Sequence, residues 1–143
     1  MSTSQPLGPG AGEAVPGPGP RTWVIELPAG LRLLSLNDRL HWAEKGRRTR
    51  DLRAAGCVMS RKVKVPPLGR AKVTVEYQPP LVTRRRDLDN VATASGKPLI
   101  DGALRDARVL IDDSPEYLTE VTYRIGKPFP KGRVVLFITE VTG

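Results

Sequence analysis

Residues 71–77, AKVTVEY, alternate apolar and polar without a fault and stand between two proline pairs, Pro66–Pro67 and Pro79–Pro80. A two-residue period puts Ala71, Val73, Val75 and Tyr77 on one face of a strand and Lys72, Thr74 and Glu76 on the other. Such a strand has one face to bury, so the chain needs a second layer to cover it. The rest of the pattern supplies one. TWVIEL (22–27) and RVVLFIT (133–139) are rich in β-branched and aromatic residues and predict strands, as does YLTEVTYRI (117–125). The intervening GKPFPKG predicts a β-hairpin joining the last two.

Helices are expected in two places. Asn37 or Asp38 is a candidate N-cap for a helix running towards Arg61. Leu40, Ala43, Ala54, Ala55, Val58 and Met59 would form its buried face. KGRRTR (45–50) interrupts that stripe, so the helix either breaks near Gly46 or turns its middle towards something anionic. Leu99, Ile100, Ala103, Leu104 and Ala107 predict a short amphipathic helix from Lys97 to Arg108. The order strand, helix, strand, helix, strand, strand implies an α/β (α+β) fold, a single small domain with a mixed β-sheet and two helices.

That domain is expected over residues 21–143. Residues 1–20 hold five Pro, five Gly and one charge, Glu13, too little apolar surface to offset the entropy of ordering. They predict a disordered tail. They lack the basic start and apolar run of a signal peptide, and no later segment has the apolar length of a membrane span.

Charge narrows the function. Twenty-three Lys and Arg stand against fifteen Asp and Glu, a formal net charge of +8. A field of that sign attracts polyanions, nucleic acid before a membrane surface. Cys57 and His41 are the only residues of their kinds. A structural zinc site needs about four Cys or His ligands, and neither residue sits in a nucleophile's setting. No disulfide can form within the chain, which fits a reducing compartment. Any catalysis therefore falls to carboxylates, lysines and a bound metal.

RRRDLDN, residues 84–90, carries the candidates. If the segment is extended, Asp87 and Asp89 share a face and repel unless a cation lies between them. Hard oxygen donors suit Mg²⁺ or Mn²⁺. Arg84, Arg85 and Arg86 beside them would grip phosphate oxygens. The alternative is a turn or a solvated salt-bridge patch. Asp112 and Asp113 at the end of VLIDDS form a second acidic pair, whose alternative is a turn with Ser114 and Pro115. Adjacent residues of an extended segment face opposite ways, so one of the two would enter a metal shell.

DLDN, a following lysine, IDGAL and a hydrophobic-D-D-S element, in that order, resemble the core signature of the RusA-type Holliday junction resolvases. LSLNDRLHW resembles that family's N-terminal element. The likeness spans roughly residues 34–121. It implies a homodimeric, Mg²⁺- or Mn²⁺-dependent endodeoxyribonuclease that cuts four-way junctions of branched DNA in recombination and repair. The setting it implies is bacterial or phage-infected cytoplasm. The family's catalytic aspartates fall on Asp87, Asp89 and Asp113, with Asp112 as the uncertain neighbour, and its lysine on Lys97. Lys97 lies seven residues beyond Asn90, farther than the family's usual spacing, where Thr93 stands instead. Either a small inserted loop lets Lys97 reach the site, or the chemistry is weakened.

Arg47, Arg48 and Arg50 are candidates for DNA phosphates, or else a solvated helix face. Trp23 and Trp42 are expected to pack in the core, with stacking on bases as the alternative. Two other functions fit the same residues: a non-catalytic basic nucleic-acid-binding protein, and a branched-DNA nuclease of different specificity.

Overall fold

The computed structural model describes residues 20–36, 39–80 and 85–142; of Arg85, Arg86 and Asp87 it describes the backbone only. The expected disordered tail, the Asn37 or Asp38 cap and Arg84 lie outside the described residues. Strand β1 (Thr22–Glu26) is followed by helix α1 (Trp42–Val63), β2 (Ala71–Gln78) and helix α2 (Arg85–Ile100). A π-helical segment (Asp101–Asp106), β3 (Leu118–Ile125) and β4 (Arg133–Glu140) complete the order. The fold is α+β, with a mixed four-stranded sheet ordered β1-β4-β2-β3. β4 runs antiparallel to both neighbours, while β2 and β3 are parallel and are joined through α2.

The hairpin expected at GKPFPKG does not form, because β2 lies between β3 and β4. Burial explains the arrangement. β4 buries Val134, Val135, Leu136 and Ile138, whereas β3 buries only Leu118. The strand with more apolar surface takes a central place and the more polar strand takes an edge, where its unpaired side meets water. The connecting loop crosses the end of β2 instead, with the Gly126 N–H donating to the Tyr77 carbonyl and the Phe129 N–H to that of Pro79.

The face of the sheet carrying Trp23, Ile25, Val73, Val75, Leu136 and Ile138 packs under the helices. Trp23 is thus in the core as expected, but Trp42 is 79% exposed. The expected face of α1 is met in part: Leu40, Ala55 and Met59 pack against the core, but Ala54 and Val58 are exposed, and the fully buried positions are Leu52, Gly56 and Ser60. The reason is a close helix crossing. A Cβ at Gly56 would run into the carbonyl of Leu99, and one at Gly102 into the carbonyl of Arg53. Glycine at both points lets two backbones touch where any side chain would hold them apart. The helix runs through Gly46 without a break, and His41 caps it, its Nδ1 accepting the Ala43 N–H at 3.2 Å.

The second helix begins about three turns before the expected Lys97. Leu88, Ala92, Ser95 and Leu99 recur at helical spacing and are all buried. Two of these four are small, which is why the apolar signal is faint before Leu99. Ser95 also clips the preceding loop, its hydroxyl donating to the Leu34 carbonyl and accepting the Leu34 N–H, both at 2.9 Å. Pro98 removes one backbone donor from the helix, and the wider π-helical turn follows at Asp101.

Candidate functional site

The helical start of α2 changes the geometry expected of RRRDLDN. Residues two apart on a helix are separated by about 200° around its axis, so positions 87 and 89 do not share a face as they would on a strand. The Asp87 side chain lies outside the described residues, as do those of Arg85 and Arg86. Asp89 is exposed. Among the described residues no hydrogen bond or ion pair engages its carboxylate.

The structure instead gathers charge two turns farther along. Lys97 Nζ donates to Asp113 Oδ2 at 2.7 Å and to Asp101 Oδ1 at 3.2 Å. Asp101 follows Lys97 by one helical turn, and Asp113 arrives from the segment that precedes β3. No loop is inserted to bring Lys97 here. VATASG is helical throughout, and a spacing of seven is nearly two full turns, which keeps Lys97 on the side of the helix that carries Asn90. Asp89, Thr93 and Lys97 are exposed along one edge of α2, but Asp89 sits about 12 Å up the axis from Lys97. Asp113 and Lys97 are brought together; Asp89 is not brought to them.

The second acidic pair divides as expected of neighbouring residues. Asp113 turns to Lys97, and Asp112 lies 3.7 Å from Arg105 Nε on the other side. The Lys97 ammonium holds the Asp113 carboxyl below the usual carboxylate range, with burial opposing and Asp101 adding a hydrogen bond. The Asp113 contact in turn raises Lys97, again against burial. Beside the cluster, Arg53 of α1 forks onto Asp106, at 2.5 and 2.9 Å. That bond raises the guanidinium, and the charges of Asp101 and Asp113 raise it further. Two carboxylates, Asp101 and Asp113, thus share one ammonium, with a bidentate Arg–Asp pair alongside.

Asp101 stands outside the D-x-D spacing; its signal in the sequence is K-x-x-x-D within a helical pattern, upstream of a D-D pair. Among the described residues no group of three or more Asp, Glu, His or Cys is placed to hold a metal ion. The cation that Asp101 and Asp113 meet in this structure is the Lys97 ammonium.

The arginines of α1 are partly spoken for. Arg47 and Arg48 both bind Glu44, at 2.7 and 2.9 Å, and hold its carboxyl down to about 2. Arg48 also reaches the Leu33 carbonyl. Arg50 is exposed and enters no ion pair among the described residues. Among the described residues no helix is long and apolar enough to cross a membrane. Comparison with models of protein families gives no match for this chain, and comparison with curated proteins gives none either.

Proposed function

We propose that this chain is a divalent-metal-dependent endodeoxyribonuclease acting on branched DNA, with a four-way junction as its preferred substrate. The observation that carries the reading is the meeting of Lys97, Asp101 and Asp113 beside Arg53 in a chain of net charge +8. Asp101 and Asp113 would hold Mg²⁺ or Mn²⁺. A metal there supplies Lewis-acid polarisation of the phosphodiester. Lys97 is long enough to leave its carboxylates and donate to a phosphoryl oxygen, where its charge stabilises that developing on phosphate. Arg53, anchored by both oxygens of Asp106, holds a planar guanidinium on the same side. Action on two symmetric strands calls for a homodimer, and the RusA-like order of motifs implies the same assembly in a cytoplasmic setting.

One observation favours a second reading. Asp89 stands about 12 Å from the cluster along α2, and Lys97 already satisfies both carboxylates there. A non-catalytic basic protein that binds nucleic acid needs no more than this. A cleavage assay separates the two, using a synthetic four-way junction with Mg²⁺ or Mn²⁺ and wild type beside Asp113→Asn. Nicks made by wild type and lost in the variant, with binding retained, support the nuclease. Binding without cutting by wild type under either metal moves the assignment to the binding protein, and equal cutting of linear duplex removes the junction preference.

A further inference from the structure

Trp42 presents 79% of its surface to solvent, whereas Trp23, the other tryptophan, is buried. Its ring is not loose on the surface. His41 caps α1 through Nδ1, and its imidazole lies 5.4 Å from the indole at a tilt of 34°. The residues that follow Trp42 by three, four, seven and eight share its side of the helix: Lys45, Gly46, Thr49 and Arg50. Gly46 offers no side chain, and the Arg50 guanidinium folds back over it, 3.7 Å from where a Cβ would stand. Lys45 and Arg50 are exposed on the side of the helix that carries the indole.

The cations on this part of α1 are paired unevenly. Arg47 and Arg48, around the helix, share the one carboxylate of Glu44, which Arg32 also approaches at 3.6 Å. Lys45 and Arg50, next to the indole, enter no ion pair among the described residues. A flat π surface flanked by two unneutralised cations matches a nucleotide: the base stacks on the ring and its phosphate meets the cations. Arg53 lies one turn beyond Arg50 on α1, about 17 Å along the axis from Trp42. That rise equals about five base steps of duplex.

We propose that Trp42, with Lys45 and Arg50, is a stacking site for an unpaired nucleobase of the DNA that the chain binds. The inference rests on the nucleic-acid reading above and adds to it a preference for strands with open bases. Trp42 is also the probe, because Trp23 is shielded. The experiment titrates the full chain with a short oligo(dT) and, separately, with a blunt duplex of equal length, following tryptophan emission and anisotropy at low salt. Oligo(dT) should quench the emission. Trp42→Ala should weaken oligo(dT) binding roughly tenfold, which is the scale of one base–aromatic stack. Its duplex affinity should stay within about twofold, and Trp42→Phe should restore most of the loss.

Absence of quenching, or equal oligo(dT) affinity for wild type and Trp42→Ala, would overturn the stacking site. So would quenching by anionic lipid vesicles and not by DNA, or a wild-type dimer that Trp42→Ala converts to monomer, since each assigns the indole another occupant. The level of failure is also readable. Duplex binding that persists with no Trp42 effect refutes this inference alone, whereas no binding to either DNA by wild type refutes it together with the proposed function.

Discussion

Replacing Gly102 by alanine tests whether the two helical layers touch as closely as the backbone indicates. The added methyl would overlap the Arg53 carbonyl oxygen, come within 2.7 Å of its carbon and reach 3.0 Å from the Cys57 nitrogen. All three are backbone atoms, so no rotamer change relieves the contact. Two effects oppose each other. Alanine favours helical backbone over glycine by about 1 kcal/mol, while overpacking costs about 1–3 kcal/mol and occasionally more. The upper end applies here, because α1 and the π-helical segment must separate as units, loosening Leu52, Leu99, Ala103 and Leu104, each at most 1% exposed. The net expectation is a loss of about 2 kcal/mol, or roughly 8 °C in melting temperature for a domain of this size. The assay is thermal unfolding by circular dichroism, with Gly69→Ala as control, since a Cβ there meets nothing within 4 Å. A Gly102→Ala melting point within about 2 °C of the control would refute the argument. It would mean that the crossing yields without cost.

Other expectations follow from the charged cluster. Lys97→Met removes the ammonium shared by Asp101 and Asp113; relief of charge repulsion should tighten Mn²⁺ binding roughly tenfold, and an unchanged calorimetric Kd would show that Lys97 does not compete for the site. Asp113→Asn should abolish nicking while Asp112→Asn, on the Arg105 side, retains it; equal loss in both would contradict their division between two partners. Glu44, Asp106 and Asp113 all have lowered pKa values, through Arg48 and Arg47, Arg53 and Lys97 respectively. Their stabilisation is present above the ordinary carboxylate value of about 4 and is lost as pH falls through the depressed values. The melting temperature should therefore drop from about pH 4 towards pH 2. It should fall less steeply in Asp106→Asn, and identical slopes would show that the Arg53 pair contributes nothing.

The strands were legible almost to the residue, because alternation in AKVTVEY and branched residues in TWVIEL and RVVLFIT report burial directly. Their order was not. A proline-bearing loop between two strands is a local signal, and it lost to the requirement that apolar β4 lie inside the sheet and polar β3 at its edge. The inward positions of α1 and the start of α2 were hidden for one reason: small residues carry the packing. Gly56, Ser60, Ala92 and Ser95 are buried yet add little to a hydrophobic pattern. Of the candidate site, Lys97 and Asp113 were readable as chemistry but their meeting was not, since it depends on α2 continuing through VATASG. Asp101 was visible only as a helical neighbour of Lys97. Trp42 reversed its expected place because the fully buried face of α1 begins nearly three turns later, at Leu52.

β4 is the hub of the sheet, and it is the last of the four strands in sequence order. Thr22 of β1 pairs with Thr139 across a sequence separation of 117, and among the described residues β4 is the only strand that β1 pairs with. During synthesis β1 emerges first and stays without a partner until residues 133–140 arrive. Sheet formation is therefore dominated by long-range closure, which makes for slow folding. The unpaired β1 meanwhile offers an open edge to other chains. The same topology makes truncation unforgiving: a stop within 133–140 would remove the bridge between β1 and the β2–β3 pair, leaving two fragments of sheet with no hydrogen bonds between them.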